Sequence, residues 1–318
     1  MTQSEIELTF TAMNTEVKIV AFEPHDNSTL ERVRTLFADS EQRFSRFIEL
    51  SELSVLNRLG ELKPASDEMM SILESCERHF EHTNGLFNPA VLSDLESAGY
   101  NRSFELINFS DRSDESVPSE SCGLNDVLVI DRDSDHVSSK SRLDLGGIAK
   151  GWTVDRASEL MSTECTGWLV DAGGDLFCGG TSPDEAGWIV GIDDPFFDGE
   201  LADAILIDDS AIATSSTVKR SWTTNGERRH HIIDPNTQLP ASSGLAAVSV
   251  IAETAELADV LAKCSVILGE SASLELLIEN DSAARFTRDD GTTVVTENWP
   301  SFLTAESYFL PTESRSAV

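Results

Sequence analysis

The sequence predicts an α+β fold. Two observations carry that prediction: strand-like and helix-like segments collect in blocks without regular βαβ alternation, and short strands crowd the chain after residue 126. Residues 5–22 alternate apolar and polar side chains, which fits one strand or a hairpin. Residues 28–48 carry helical spacing behind a Ser28-Thr29 cap, and a second helix is predicted over 66–83. "HTNGLFNPAVLSDLESAGYNRSF" then opens with the Asn84-Gly85 turn, enters a loop at Phe87-Asn88-Pro89 and continues as a short helix ending near Gly99. The stretch 108–125 is rich in Ser, Asp and Glu and has too few apolar residues to pack, so a mobile insertion is expected there. Beyond it "DVLVI", "WLVDA", "GWIVGI", "DAILI", "AIATS" and "AAVSVIA" read as strands, with helices over about 147–163 and 254–280.

At 318 residues and 40% hydrophobic composition the chain can build a real core, as one large domain or two smaller ones. Its 56 acidic and 23 basic side chains leave a formal charge of −33. That field repels nucleic-acid backbones and anionic membrane surfaces, so no nucleic-acid partner is expected. Such an acidic, lysine-poor surface suits a salty or crowded cytosol. An anionic cofactor would need its own local cations or metal. The five cysteines show no metal-type spacing and read as reduced thiols. The N-terminal segment lacks the basic start and apolar core of a signal peptide, and no run reaches membrane-span length. A cytoplasmic protein without stable membrane insertion is the expectation.

Several stretches could carry chemistry. "LDLGGIAKGWTVDRA", 143–157, passes from a strand end through Gly146-Gly147 into a helix with Lys150 in its first turn, a plausible phosphate cradle and equally a structural glycine turn. It matches neither GxxxxGK[ST] nor GxGxxG. "VDAGGDLFCGG", 170–180, taken alone is a tight hairpin. "AIATSSTVKRSW", 211–222, sets four hydroxyls ahead of Lys219 and Arg220, as a phosphate site or an ST-turn cap. On the predicted helix at 252–269, Glu256, Asp259 and Lys263 share a face, and by spacing alone Asp259 and Lys263 read as an exposed ion pair. "HHIIDPNTQLP", 230–240, reads as a short strand entering a turn, which leaves its paired histidines unexplained.

Taken in order, these segments resemble the FAD:protein FMN transferases, the ApbE-type flavin transferase family. The resemblance rests on "TAMNTEV", "FSRFIELSELSVLN", "NGLFNPAV" with "AGYNRSF", "DLGGIAKGWTVD", "VDAGGDL", "GIDDP", "ATSS", "HHIIDP" and "ADVLAK" followed by "ILG", spanning Met13 to Gly269. It implies a single ApbE-like, T-fold-like α+β catalytic unit over 1–318, with mixed sheets, flanking helices and an FAD cleft between two lobes. It also implies Mg²⁺-dependent transfer of FMN from FAD to a threonine or serine hydroxyl of an acceptor flavoprotein, with release of AMP. By position, Met13, Phe47, Leu86, Phe87 and Asn88 would border the flavin, Asp144, Lys150 and Ile233 would contact FAD, and His231 would accept the hydroxyl proton. Mg²⁺ would be held by the Gly147 carbonyl and by Asp259.

The sequence departs from that pattern in places. Phe47 stands where tyrosine is often seen, Asn88 where aspartate is usual, "TSSTV" for a TSG-type turn, and Gln238 where glycine is common. Lys263 occupies the position of a metal-ligating hydroxyl, and a protonated amine cannot ligate Mg²⁺. Two alternatives therefore stand beside the transferase: a Mg²⁺-dependent FAD pyrophosphatase giving FMN and AMP, and a non-catalytic FAD-binding protein.

Overall fold

This computed structural model describes residues 5–26, 28–102, 122–182, 187–224 and 227–299. The N-terminal alternation is a hairpin, β1 (Glu5–Ala12) with β2 (Thr15–Phe22), closed by Met13 and Asn14. Both turn residues have positive φ, which matches the twist of a tight hairpin. α1 (Ser28–Phe44) and α2 (Glu52–Leu59) follow; Ser51 caps α2, and Gly60 ends it in the left-handed conformation. Next come β3 (Glu61–Leu62) and α3 (Asp67–His82), the latter within the predicted span 66–83 and capped by Ser66. After the positive-φ Asn84-Gly85 turn lie α4 (Leu92–Ser97), α5 (Leu124–Val127), β4 (Leu128–Asp131) and β5 (His136–Ser139). The strand expected at 126–130 starts at Leu128, because a helical turn occupies the residues before it. Of the insertion expected at 108–125, residues 108–121 lie outside the described residues, and Leu124 is fully buried at the start of α5.

α6 (Ala149–Ser162) leads into β6 (Gly167–Ala172), β7 (Leu176–Gly180), β8 (Trp188–Asp193), β9 (Leu201–Ile207) and β10 (Ser210–Ser216). β11 (Ser221–Thr224), β12 (Glu227–His230), β13 (Ile233–Asp234) and β14 (Leu239–Pro240) are short, and β15 (Leu245–Ala252) is long and buried at every position. Gln238 has φ 60° in the turn between β13 and β14. The helix expected over 254–280 is two, α7 (Ala255–Leu268) and α8 (Glu270–Glu279), because Gly269 takes φ 82°, ψ 168° and breaks it. β16 (Ala283–Arg288) and β17 (Thr293–Val295) finish the described chain.

The chain forms two compact units. The first contains residues 1–39, 150–216 and 244–318. Its frame is an antiparallel sheet ordered β1-β2-β6-β7-β10-β15-β16-β17. α7 packs on β10 and β15, and Val17, Ile19, Phe37, Val154, Val170 and Ala258 fill the core. Full burial of each large apolar side chain contributes about 1.5–3 kcal/mol before entropy is counted. The hairpin β8–β9 adds a second cluster in which Trp188, Ile205 and Ile207 meet Phe22 and Leu176. The second unit contains residues 40–149 and 217–243. It holds α2–α5, a sheet ordered β3-β5-β4, the hairpins β11–β12 and β13–β14, and a cluster of Leu95, Ala98, Tyr100, Trp222 and Ile233. Among the described residues every strand pair is antiparallel, where mixed sheets were expected, and with the helices this makes an α+β protein, as the block pattern predicts.

Candidate active site

The second unit gathers four of the sequence motifs around one imidazole. His231 follows β12, half-buried, with Nδ1 3.4 Å from the Arg220 carbonyl. A carbonyl only accepts, so Nδ1 carries the hydrogen and Nε2 is the basic nitrogen. Tyr100 presents a ring edge contact to His231, with centroids 6.4 Å apart, and stacks on Trp222 at 5.7 Å. Trp222 is itself fixed by Nε1 donating to Ala98 O at 2.9 Å. The neighbouring His230 is structural: Nε2 donates to Ala241 O at 2.9 Å while Nδ1 accepts from Ile232 N at 3.3 Å.

Arg46 ties the other motifs to this group. Its guanidinium lies over the rings of Phe47 and Tyr100, 4.2 and 4.7 Å from their centroids, and Nη2 donates to Tyr100 O at 2.9 Å. Nε sits 2.6 Å from Asp144 Oδ2, a close ion pair whose N–H does not point along the contact. The other carboxylate oxygen, Asp144 Oδ1, accepts from Gly146 N at 2.9 Å and shapes the Gly146-Gly147 turn. Asp144 thus spends both oxygens inside the protein. Phe47 is 40% exposed, which leaves a ring face for a ligand. Leu86 and Phe87 are buried, Asn88 caps the Pro89 turn through Ala90 N and bonds Cys122 O, and Ile233 is buried beside Trp222. Arg46 and Tyr100 went unassigned in the sequence, although both lie inside quoted motifs, Arg46 beside Phe47 and Tyr100 in "AGYN".

In the first unit, Lys150 of α6 is ion-paired with Asp175, which is 2% exposed in the β6–β7 turn. Gly173 and Gly174 both have positive φ, so "VDAGGDL" is the tight hairpin that it reads as in isolation. Burial pushes the Asp171 carboxyl above its usual range, while the Gly174 amide, 2.7 Å from Oδ1, and the Lys150 ammonium oppose that rise. Met13 is half-buried at the β1–β2 turn, against the core. Asp259 departs from the exposed ion pair that spacing suggests: it is 6% exposed, and Oδ2 is buried without a hydrogen-bond partner. An unsatisfied buried carboxylate oxygen is costly, and a cation would satisfy it. Lys263, four residues on, is half-buried. Among the described residues no three His, Cys, Asp or Glu side chains form a metal-binding group. No described helix is long and apolar enough to cross a membrane, and none of the five cysteines is in a disulfide.

The likeness to known proteins covers this same span. A sequence profile of the ApbE family matches residues 13–286. The protein named FAD:protein FMN transferase from Treponema pallidum (strain Nichols) is 29% identical over 272 residues, 80% of this chain and 75% of that one. Its namesake from Escherichia coli (strain K12) is 25% identical over 280 residues, 86% of this chain and 80% of the other. The crystal structure of the ApbE protein of Thermotoga maritima superposes with a TM-score of 0.82 at 27% identity, covering 95% of this chain and 100% of its own. The flavin transferase ApbE of Vibrio cholerae shares the fold at a TM-score of 0.76 and 22% identity, covering 95% of this chain and 100% of its own. With the fold, the ordered motifs and a profile match across most of its length in agreement, the chain belongs to the ApbE family.

Proposed function

We propose that this protein is an FAD:protein FMN transferase that joins FMN to a threonine or serine hydroxyl of an acceptor flavoprotein and releases AMP. Its relatives' names supply the reaction class, and the observation that carries the reading is His231, whose Nδ1 is tied to a carbonyl so that Nε2 is the basic atom. In the step, Nε2 takes the acceptor hydroxyl proton, and that oxygen forms a bond to the FMN phosphorus. The P–O bond to the AMP phosphate breaks, and AMP departs with the electron pair. Tyr100 and Trp222 hold the imidazole, Arg46 and Phe47 offer a cationic and aromatic surface for the flavin end of FAD, and Met13, Leu86, Phe87, Asn88 and Ile233 shape its surroundings. Lys150, steadied by Asp175, contributes positive charge toward the phosphates, and Asp144 acts through the Gly146-Gly147 turn.

Asp259 Oδ2 suits a divalent cation, so Mg²⁺ would be held by Asp259 and the Gly147 carbonyl, with water in the position that Lys263 leaves without a hydroxyl. When bound, Mg²⁺ neutralises charge that builds on the pyrophosphate oxygens. Incubation with FAD, Mg²⁺ and an acceptor peptide, followed by mass spectrometry, tests the reading. FMN on the peptide is expected. Free FMN with AMP would point to a pyrophosphatase, and intact FAD to a binding protein.

A further inference from the structure

α7 begins against the middle of α6. Asp155 of α6 accepts from Ala255 N at 2.7 Å through Oδ1 and from Glu256 N at 2.9 Å through Oδ2. Thr254 completes the cap, its Oγ1 accepting from Leu257 N at 3.2 Å and its carbonyl from Ala258 N at 3.0 Å. The first four amides of a helix have no partner inside it. Here those of Ala255, Glu256 and Leu257 are taken, two of them by a carboxylate 100 and 101 residues away in sequence. Gly151, one turn before Asp155 on the same face, permits the approach, since a Cβ there would lie 2.5 Å from Ala255 O and 2.8 Å from Glu256 Cα. Asp259, with its partnerless Oδ2, sits one turn into the helix that is held this way.

We infer that Asp155 is a positioning residue for the cation-binding carboxylate of Asp259, fixing where α7 starts and therefore where that carboxylate projects. This deepens the metal-dependent reading above and rests on it. A negative charge at a helix start also gains from the helix dipole. Two charged neighbours face Asp155: Glu256 on α7 opposes its ionisation, and Arg156 on α6 favours it. Burial is the dominant influence and pushes the carboxyl up to about 7. A protonated carboxyl has one oxygen committed as a donor, so it serves two amides poorly and the hold on α7 weakens below that pH.

The test is Mn²⁺ titration followed by electron paramagnetic resonance, with hydrogen–deuterium exchange of peptides over 255–262. Both are run on wild type, Asp155→Asn, Asp155→Ala and Asp259→Asn. Asp155→Asn should bind Mn²⁺ about tenfold more weakly at pH 8, the usual scale for a residue that supports a ligand. Wild type should lose a similar factor from pH 8 to pH 6 while Asp155→Asn stays flat, and exchange over 255–262 should quicken in both Asp155 variants. Asp155→Asn keeps the side-chain volume, so the measurement survives if Asp155→Ala does not fold. Wild-type affinity, pH profile and exchange in Asp155→Asn would overturn the positioning role and leave the metal reading standing. No Mn²⁺ uptake by wild type, or full uptake by Asp259→Asn, would instead overturn the metal reading.

Discussion

Replacing Asp155 by asparagine should change how stability depends on pH, and both sign and size follow from its environment. The carboxyl is raised from 3.8 to about 7, chiefly by burial, despite two amide hydrogen bonds. In the unfolded chain it titrates near 3.8, so between that value and about 7 the folded state holds a proton that the unfolded state has lost. Its contribution to stability is therefore fullest below 3.8 and is lost as pH rises through about 7. At about 1.36 kcal/mol per pKa unit the whole change is about 4 kcal/mol, of which about 3 falls between pH 5 and pH 8. For a chain of this size that corresponds to about 5 °C of melting temperature. Asp171 and Glu77 are also raised by burial and slope the same way, but they remain in both proteins and cancel in the comparison. Calorimetric melts of wild type and Asp155→Asn at pH 5, 6, 7 and 8 should give curves that diverge by that amount. Parallel curves would mean that Asp155 is ionised throughout, and the reasoning would be wrong.

His231→Ala should lower FMN transfer about 10²–10⁴-fold, the usual range for a lost general base, with FAD still bound by fluorescence titration; undiminished transfer would remove it as the base. Lys263→Thr should restore a hydroxyl beside Asp259 and raise Mg²⁺ affinity about tenfold by calorimetry, and an unchanged affinity would count against the replacement account. A net charge of −33 should make folding salt-dependent. As the Debye length shortens from about 10 Å at 0.1 M to about 3 Å at 1 M, self-repulsion is screened and the melting temperature should climb by several degrees. A melting temperature indifferent to NaCl would show that the acidic residues are already locally balanced.

The elements that sequence reading recovered are those with local causes. Alternation and a two-residue turn specify β1–β2, the Ser66 cap starts α3, and paired glycines make the β6–β7 turn. Strands too short to show a period, such as β3 and β14, were invisible because two residues carry no pattern. The break between α7 and α8 hid behind one glycine whose conformation, rather than identity, decides the matter. The site was legible as motifs, and His231 and Asp259 could be named, yet the partners that define their chemistry could not. Arg46 reaches Asp144, and Tyr100 reaches both Trp222 and His231, across intervals that no spacing rule spans.

The sequence by itself determined the α+β class, the acidic character and the family, because composition, short-range periodicity and motif order are properties of the chain read in one dimension. Only the tertiary structure decided that Asp259 is buried with an unsatisfied oxygen, and that Asp155 grips the start of its helix. Burial and hydrogen-bond partnership are set by which segments pack together, and that information lies in contacts between residues far apart in the chain.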